Sequence, residues 1–224
     1  SISAGPVTIY NGTEVEAEYV KVTNCTNTNG HGGGIYNAGT LTLTNCTVSG
    51  CKAIANSSSN GWGGGIYNSY GSSLALEEST VEDNEAAHGG GIFIDNGCTA
   101  QITDSIIQSN TAKSTVSTGM GGGIFVNDGG SLTLSGSGSK VIQNTADSST
   151  ISSSSTIDKN AYGGGIFCYG SMTMTDGTIS ENTLVAGSSD AKYGGGIALV
   201  AISTSSSSTF TMSGGTISKN SAKL

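Results

Sequence analysis

The groups in this chain of 224 residues that could do chemistry are two histidines, sixteen acidic residues and five cysteines. Glu14, Glu16 and Glu18 alternate along one segment, while Glu77, Glu78, Glu82, Asp83 and Glu85 crowd another. Inverting glycoside hydrolysis needs carboxylates that converge on one outer face. These are scattered instead, which favours a solvated, edge-protecting charge group over catalysis, with a weak cation site at the second cluster as the lesser alternative. Lyase chemistry on acidic sugars calls for Arg or Ca²⁺ to neutralise the substrate carboxylate, and all eight basic residues are Lys. The cysteines form no C-x-x-C pair, so zinc and thioredoxin-like motifs are absent. No catalytic residue, cofactor or metal is expected.

Net charge is −8 and Pro occurs once. An acidic chain without Arg argues against nucleic acid, because phosphate neutralisation needs clustered cations and bidentate forks. The longest apolar stretch, around Ile197 to Ile202, falls far below the roughly 20 residues that span a bilayer, so no membrane insertion is expected. Hydrophobic residues make up only 35% of the chain, too few for a thick globular core. The fold must therefore need only a thin apolar stripe per unit.

Those stripes repeat. Gly-Gly-Gly-Ile occurs six times, beginning at Gly32, Gly63, Gly89, Gly121, Gly163 and Gly194, with intervals of 31, 26, 32, 42 and 31 residues. An alternating apolar pair follows each copy, from Leu41/Leu43 to Phe210/Met212, and period two means strand. Then come a single apolar residue, such as Val48 or Ile107, and a small polar one: Cys51, Asn84, Asn110, Asn144, Asn182 and Asn220. In the fourth copy Val141 comes two places late, which Ser137-Gly138 accommodates as a bulge. A degenerate seventh copy leads the series through Val15, Ala17, Val22 and Cys25, its missing first strand supplied by the segment around Val7 to Asn11. The unit reads as three short strands and a turn.

Such a unit cannot bury its inward side chains alone, but stacked copies pair each strand with its counterpart above and below. The expected fold is all-β, a right-handed single-stranded parallel β-helix of about seven coils, with residues 1–224 forming one domain. At a rise of roughly 4.8 Å per coil the rod is on the order of 34 Å long. The triglycine marks a corner needing positive φ and close backbone approach. The Asn column should turn in the left-handed region and form an internal amide ladder. Cys25 and Cys51 fill the same column, where strand spacing permits a disulfide, although buried free thiols are the favoured reading. Insertions fall between the Asn and the next triglycine, the longest being Thr145 to Tyr162, read as a polar loop; another runs from Ser203 to Ser208.

Three columns of side chains bear on ligand binding. The residues preceding the corners, His31, Trp62, His88, Met120, Tyr162 and Tyr193, form one column; strand parity places it inward with Ile35, so a packed corner is preferred over a sugar-stacking groove. A second column, Tyr36, Tyr67, Phe93, Phe125 and Phe167, should face outward, either stacking on glycan rings or covered by neighbouring loops, the two readings being evenly balanced. Outward hydroxyls such as Thr40, Thr42 and Thr44 resemble an ice-binding lattice, but solubilising strand formers on an exposed sheet are preferred.

The paired signature, a Gly-Gly-x-Ile corner with an apolar-x-x-Asn strand end, resembles the repeats in passenger domains of polymorphic outer-membrane autotransporters and related bacterial surface adhesins. The resemblance implies an extracellular or cell-surface location and a non-catalytic adhesive or stalk role, with a host or microbial surface glycan or protein as partner. The alternatives are a polysaccharide lyase or hydrolase and an ice-binding solenoid. Because the last repeat stops at Asn220 without a cap, the chain is expected to be a fragment of a longer array or to stack end to end.

Overall fold

The computed structural model describes residues 6–28, 30–54, 61–113, 118–149, 160–186, 191–201 and 208–223. Four seven-stranded parallel sheets run the length of the molecule, one strand of each contributed by every coil. The first sheet extends from Val7–Ile9 to Ile197–Leu199, the second from Glu14–Glu18 to Thr209–Met212, the third from Lys21–Thr23 to Thr216–Ser218, and the fourth from Thr26–Asn27 to Ser221–Lys223. Val7–Ile9 pairs with Ile35–Asn37 and so supplies the first strand of coil one. Like residues lie over like: Ile66 pairs with Ile92, and Ile92 with Ile124, although the two intervals differ in length.

Period-two alternation drives one row of side chains inward on each strand. Leu74, Leu76, Val81 and Ile92 are essentially inaccessible, and they join one apolar column cluster that spans the coils. Because each coil contributes only a few such residues, the core is a narrow strip, consistent with the low apolar content.

Two glycines of each corner are sterically required. The first takes a left-handed backbone, as at Gly63 with φ +65°. The second lies under the next coil: a Cβ on Gly122 would sit 2.2 Å from Gly164 O and 2.5 Å from Thr145 C. No side chain fits between those backbones.

The structure differs from the sequence expectations in four places. Each coil has four strands, not three, because residues after the Asn column, such as Thr111–Lys113, pair again with the neighbouring coils. For the same reason Thr145–Asp147 is a strand, not loop, and Ala161–Tyr162 pairs with Lys192–Tyr193; 150–159 and 202–207 lie outside the described residues. The left-handed residue is not the Asn but the one before it, for example Asp83, Ser109, Gln143 and Glu181. That placement lets the following Asn turn its amide inward. Finally, the two extra residues of the fourth copy do not bulge a strand. They form a turn after Ser131–Ser135, where Ser139 N donates to Gly136 O at 3.0 Å and Gly138 N to Asp104 Oδ1 at 2.9 Å.

Candidate functional site

Outside the main core, the two aromatic columns meet on the outer surface of the first sheet. Tyr67, Phe93, Phe125 and Phe167 are at most 5% exposed, and Tyr36 is half-buried. Of the two readings of this outward column, the covered one holds, and what covers it is not loops but the row before the corners: Trp62, Met120 and Tyr162 pack on it. That row does not point inward with Ile35. The left-handed glycine between the two reverses the chain, so strand parity cannot be carried across the corner.

The packing follows a diagonal rule. In three coils the ring before the corner meets the outer ring of the next coil: His31 stacks on Tyr67 at 4.8 Å and Trp62 on Phe93 at 4.9 Å and 6°, while His88 lies tilted against Phe125 at 5.5 Å. Parallel bridges link Trp62 to His88, His88 to Met120 and Met120 to Tyr162. Such ring pairs hold their place through area burial plus about 0.5–1.5 kcal/mol each.

Burial sets the electrostatics of this ridge. Among the described residues, His88 Nδ1 and Trp62 Nε1 are enclosed without a hydrogen-bond partner. Desolvation lowers the His88 pKa to about 4, so the ring is neutral in the fold. His31 is also lowered by burial, an effect that the Asp95 charge partly opposes, and its Nδ1 accepts from Trp62 N at 3.2 Å. Tyr67 Oη donates to Asp95 Oδ2 at 2.5 Å, while Asp95 Oδ1 accepts from Asn127 Nδ2 at 2.8 Å. Burial and the neighbouring carboxylate push the Tyr67 phenol upward. Asp95 therefore anchors the ridge to the next coil.

The ridge ends at coil seven, where Ala198 takes the outer position. Tyr162, Lys192, Tyr193, Ile197, Ala198 and Val200 line a depression of about 570 Å³ there, with Tyr193 47% exposed. A second depression, about 690 Å³, is lined by Glu16, Glu18, Thr42, Thr44 and Glu77. Register stacks Glu18, Thr44 and Glu77 in one outer column of the second sheet, so carboxylates that look scattered in sequence share a face.

The other expected residues serve the frame. Asn84 Nδ2 donates to Asn110 Oδ1 at 2.9 Å, Asn110 Nδ2 to Asn144 Oδ1 at 3.0 Å, and Asn144 and Asn182 continue the chain to Asn220. Two further ladders were not foreseen. Asn37 Nδ2 donates to Asn68 Oδ1 at 2.7 Å, and Ser79 and Ser105 pass backbone N–H bonds between coils at the second corner. The repeated Ile-Tyr-Asn at positions 35 and 66 was the available signal for the first of these. All five cysteines are buried free thiols, and Cys25 and Cys51 share a column without a disulfide. Cys51 Sγ donates to Ser49 O at 3.3 Å, and burial raises its pKa to about 11. In the second acidic cluster Glu82 accepts from Gln108 Nε2 at 2.7 Å and Glu85 faces Lys52 at 3.5 Å. Among the described residues no group of three His, Cys, Asp or Glu could hold a metal ion.

Parallel strands in strict coil-to-coil register are what the family model for right-handed β-helix regions encodes, and it matches residues 3–146. The chain belongs to the right-handed β-helix family. No curated protein and no solved structure matches it. Family membership fixes the right-handed winding, and function rests on the sites just described.

Proposed function

We propose that this β-helix is a non-catalytic extracellular module of a bacterial surface protein, a stiff spacer that carries an adhesive face for a host or microbial glycan or protein. The unbroken registry of seven coils in four sheets supports this reading: it makes a rod whose length is set by coil number and whose outer columns repeat at a fixed pitch. Aromatic side chains mostly stiffen the outer wall. Leu199, Met212 and Ile217, each more than 40% exposed on the last coil, form an apolar rim suited to stacking against a further coil or another copy. Glycan and protein arrays test the adhesive role. Binding to a restricted ligand set supports it, and absence of binding across both arrays contradicts it.

One observation favours a second reading, polysaccharide hydrolysis. Glu18 and Glu77 stand two rungs apart, roughly 9.6 Å at the backbone, near the upper end of the separation that inverting carboxylates use. Release of reducing ends that Glu77→Gln abolishes would establish it.

A further inference from the structure

Coils one and four make the same turn at the same corner. Between the first and second sheets, Tyr10-Asn11-Gly12-Thr13 and Asp95-Asn96-Gly97-Cys98 each join the end of one strand to the start of the next. In both, the N–H of the fourth residue donates to the carbonyl of the first at 3.1 Å, and the glycine is left-handed, with φ +76° at Gly12 and +70° at Gly97. What differs is the coil that follows. Coil five lays a turn of equal length against Asn96-Gly97: Gly97 N donates to Gly129 O at 3.3 Å and Asn96 Nδ2 to Asp128 O at 2.7 Å. Coil two crosses the same corner with only Ala38-Gly39, leaving a notch of about 280 Å³ beside Asn11 and Gly12. Both residues are exposed, and among the described residues neither the Gly12 N–H nor the Asn11 amide has a hydrogen-bond partner. The open side faces coil two, inside the array, and so does not depend on what precedes Val7.

We infer that Asn11-Gly12 is a site of spontaneous deamidation, and that the neighbouring coil protects Asn96-Gly97 from the same reaction. Hydroxide removes the Gly12 N–H proton, and the amide nitrogen attacks Asn11 Cγ. A C–N bond forms and the side-chain nitrogen, taking a proton from water, leaves as ammonia. One water then opens the five-membered succinimide at either carbonyl, giving aspartate or isoaspartate. The ring closes readily only if the next residue has no Cβ and its N–H is free. Both pairs meet the first condition, but only Asn11-Gly12 meets the second. At Asn96 the turn must first part from coil five and lose both bonds. The product carries a new negative charge in the notch that Glu14 also lines, and the isoaspartyl form lengthens the turn backbone by one carbon. This inference does not rest on the adhesive reading.

Peptide mapping of the full chain, incubated in mildly alkaline buffer with and without denaturing urea, tests the site. Cleavage at lysine and glutamate separates Asn11 and Asn96 from each other and from the Asn-Gly pairs at 29–30 and 60–61, each of which includes a residue outside the described ones. In the fold, the Asn11 peptide should gain the mass of an amide-to-acid exchange and split into aspartyl and isoaspartyl forms, roughly tenfold or more faster than the Asn96 peptide. In urea, where neither turn persists, the two rates should converge. Equal rates in the fold, an Asn11 that converts in urea but stays intact in the fold, or a rate difference that persists undiminished in urea would overturn the inference.

Discussion

Asn84 and Asn110 lie on adjacent coils, and the Asn84 side chain donates to the Asn110 side-chain oxygen at 2.9 Å while the Asn84 backbone N–H donates to the same oxygen at 3.1 Å. The second Nδ2 hydrogen of Asn84 reaches Val48 O at 3.0 Å, one coil away in the other direction. Each amide thus joins three coils, and the unit repeats down to Asn220. With no solvent at these positions, every donor and acceptor depends on its neighbour.

Replacing Asn144 by Ala should therefore cost more than a surface hydrogen bond. It leaves the buried Asn110 N–H and Nδ2 and the Ile107 carbonyl without their partners, at about 1–3 kcal/mol per group. Equilibrium denaturation should show a loss of about 3–5 kcal/mol, with an effect at Asn220, on the outermost coil, markedly smaller.

Two glycines with different surroundings separate steric demand from backbone preference. A Cβ on Gly122 would overlap the backbones of two coils, whereas Gly12, at φ +76°, has nothing within 4 Å of the added atom. Gly12→Ala should lower stability by about 1 kcal/mol, the usual cost of a left-handed Ala. Gly122→Ala should abolish soluble folded protein or shift the melting temperature by well over ten times its uncertainty.

Phe125 stacks on Phe93 at 4.6 Å and is 5% exposed. Phe125→Ala should destabilise by about 3–5 kcal/mol through cavity formation. If the column acts only through packing, the surviving folded fraction should bind any glycan ligand with unchanged affinity, and a lost affinity at full stability would restore the column as a binding surface.

These outcomes bear on how much could be read in the sequence. Residues that recur at every coil announced themselves: the corner glycines, the Leu41/Leu43 pairs and the Asn column gave the solenoid, its coil number and its main ladder. The fourth strand escaped because its buried residues, Ala53, Ala86 and Ala112, are small and carry little hydrophobic signal. What covers Phe93 and Phe125 escaped because parity was extended across a left-handed Gly, which placed the row of Trp62 and Met120 inward when the side-chain direction in fact resets there.

Stability should depend on pH through His88. In the fold its pKa is about 4, against 6.5 in the unfolded chain, so between these values the unfolded state binds more protons and stability falls as pH falls. Above pH 6.5 both states are neutral and the contribution is flat; by pH 4 the accumulated loss should be roughly 2–3 kcal/mol. His31, lowered by the same cause, adds with the same sign. His88→Phe should remove most of this slope in denaturation curves taken from pH 7 to 4, whereas an unchanged slope would place the titration elsewhere.

The central claim is that every repeat, whatever its length, advances the chain by one rung. Thr40, Thr99, Ser131 and Ser171 occupy one outer column of the second sheet. Pairs of spin labels there, read by pulsed electron–electron resonance, measure the claim directly. The mean separation should grow by roughly 4.8 Å per coil, reaching roughly 19 Å between positions 40 and 171. The step from 99 to 131 should equal that from 131 to 171. Distances that scale instead with the number of intervening residues, or that are broad and unordered by coil, would contradict it.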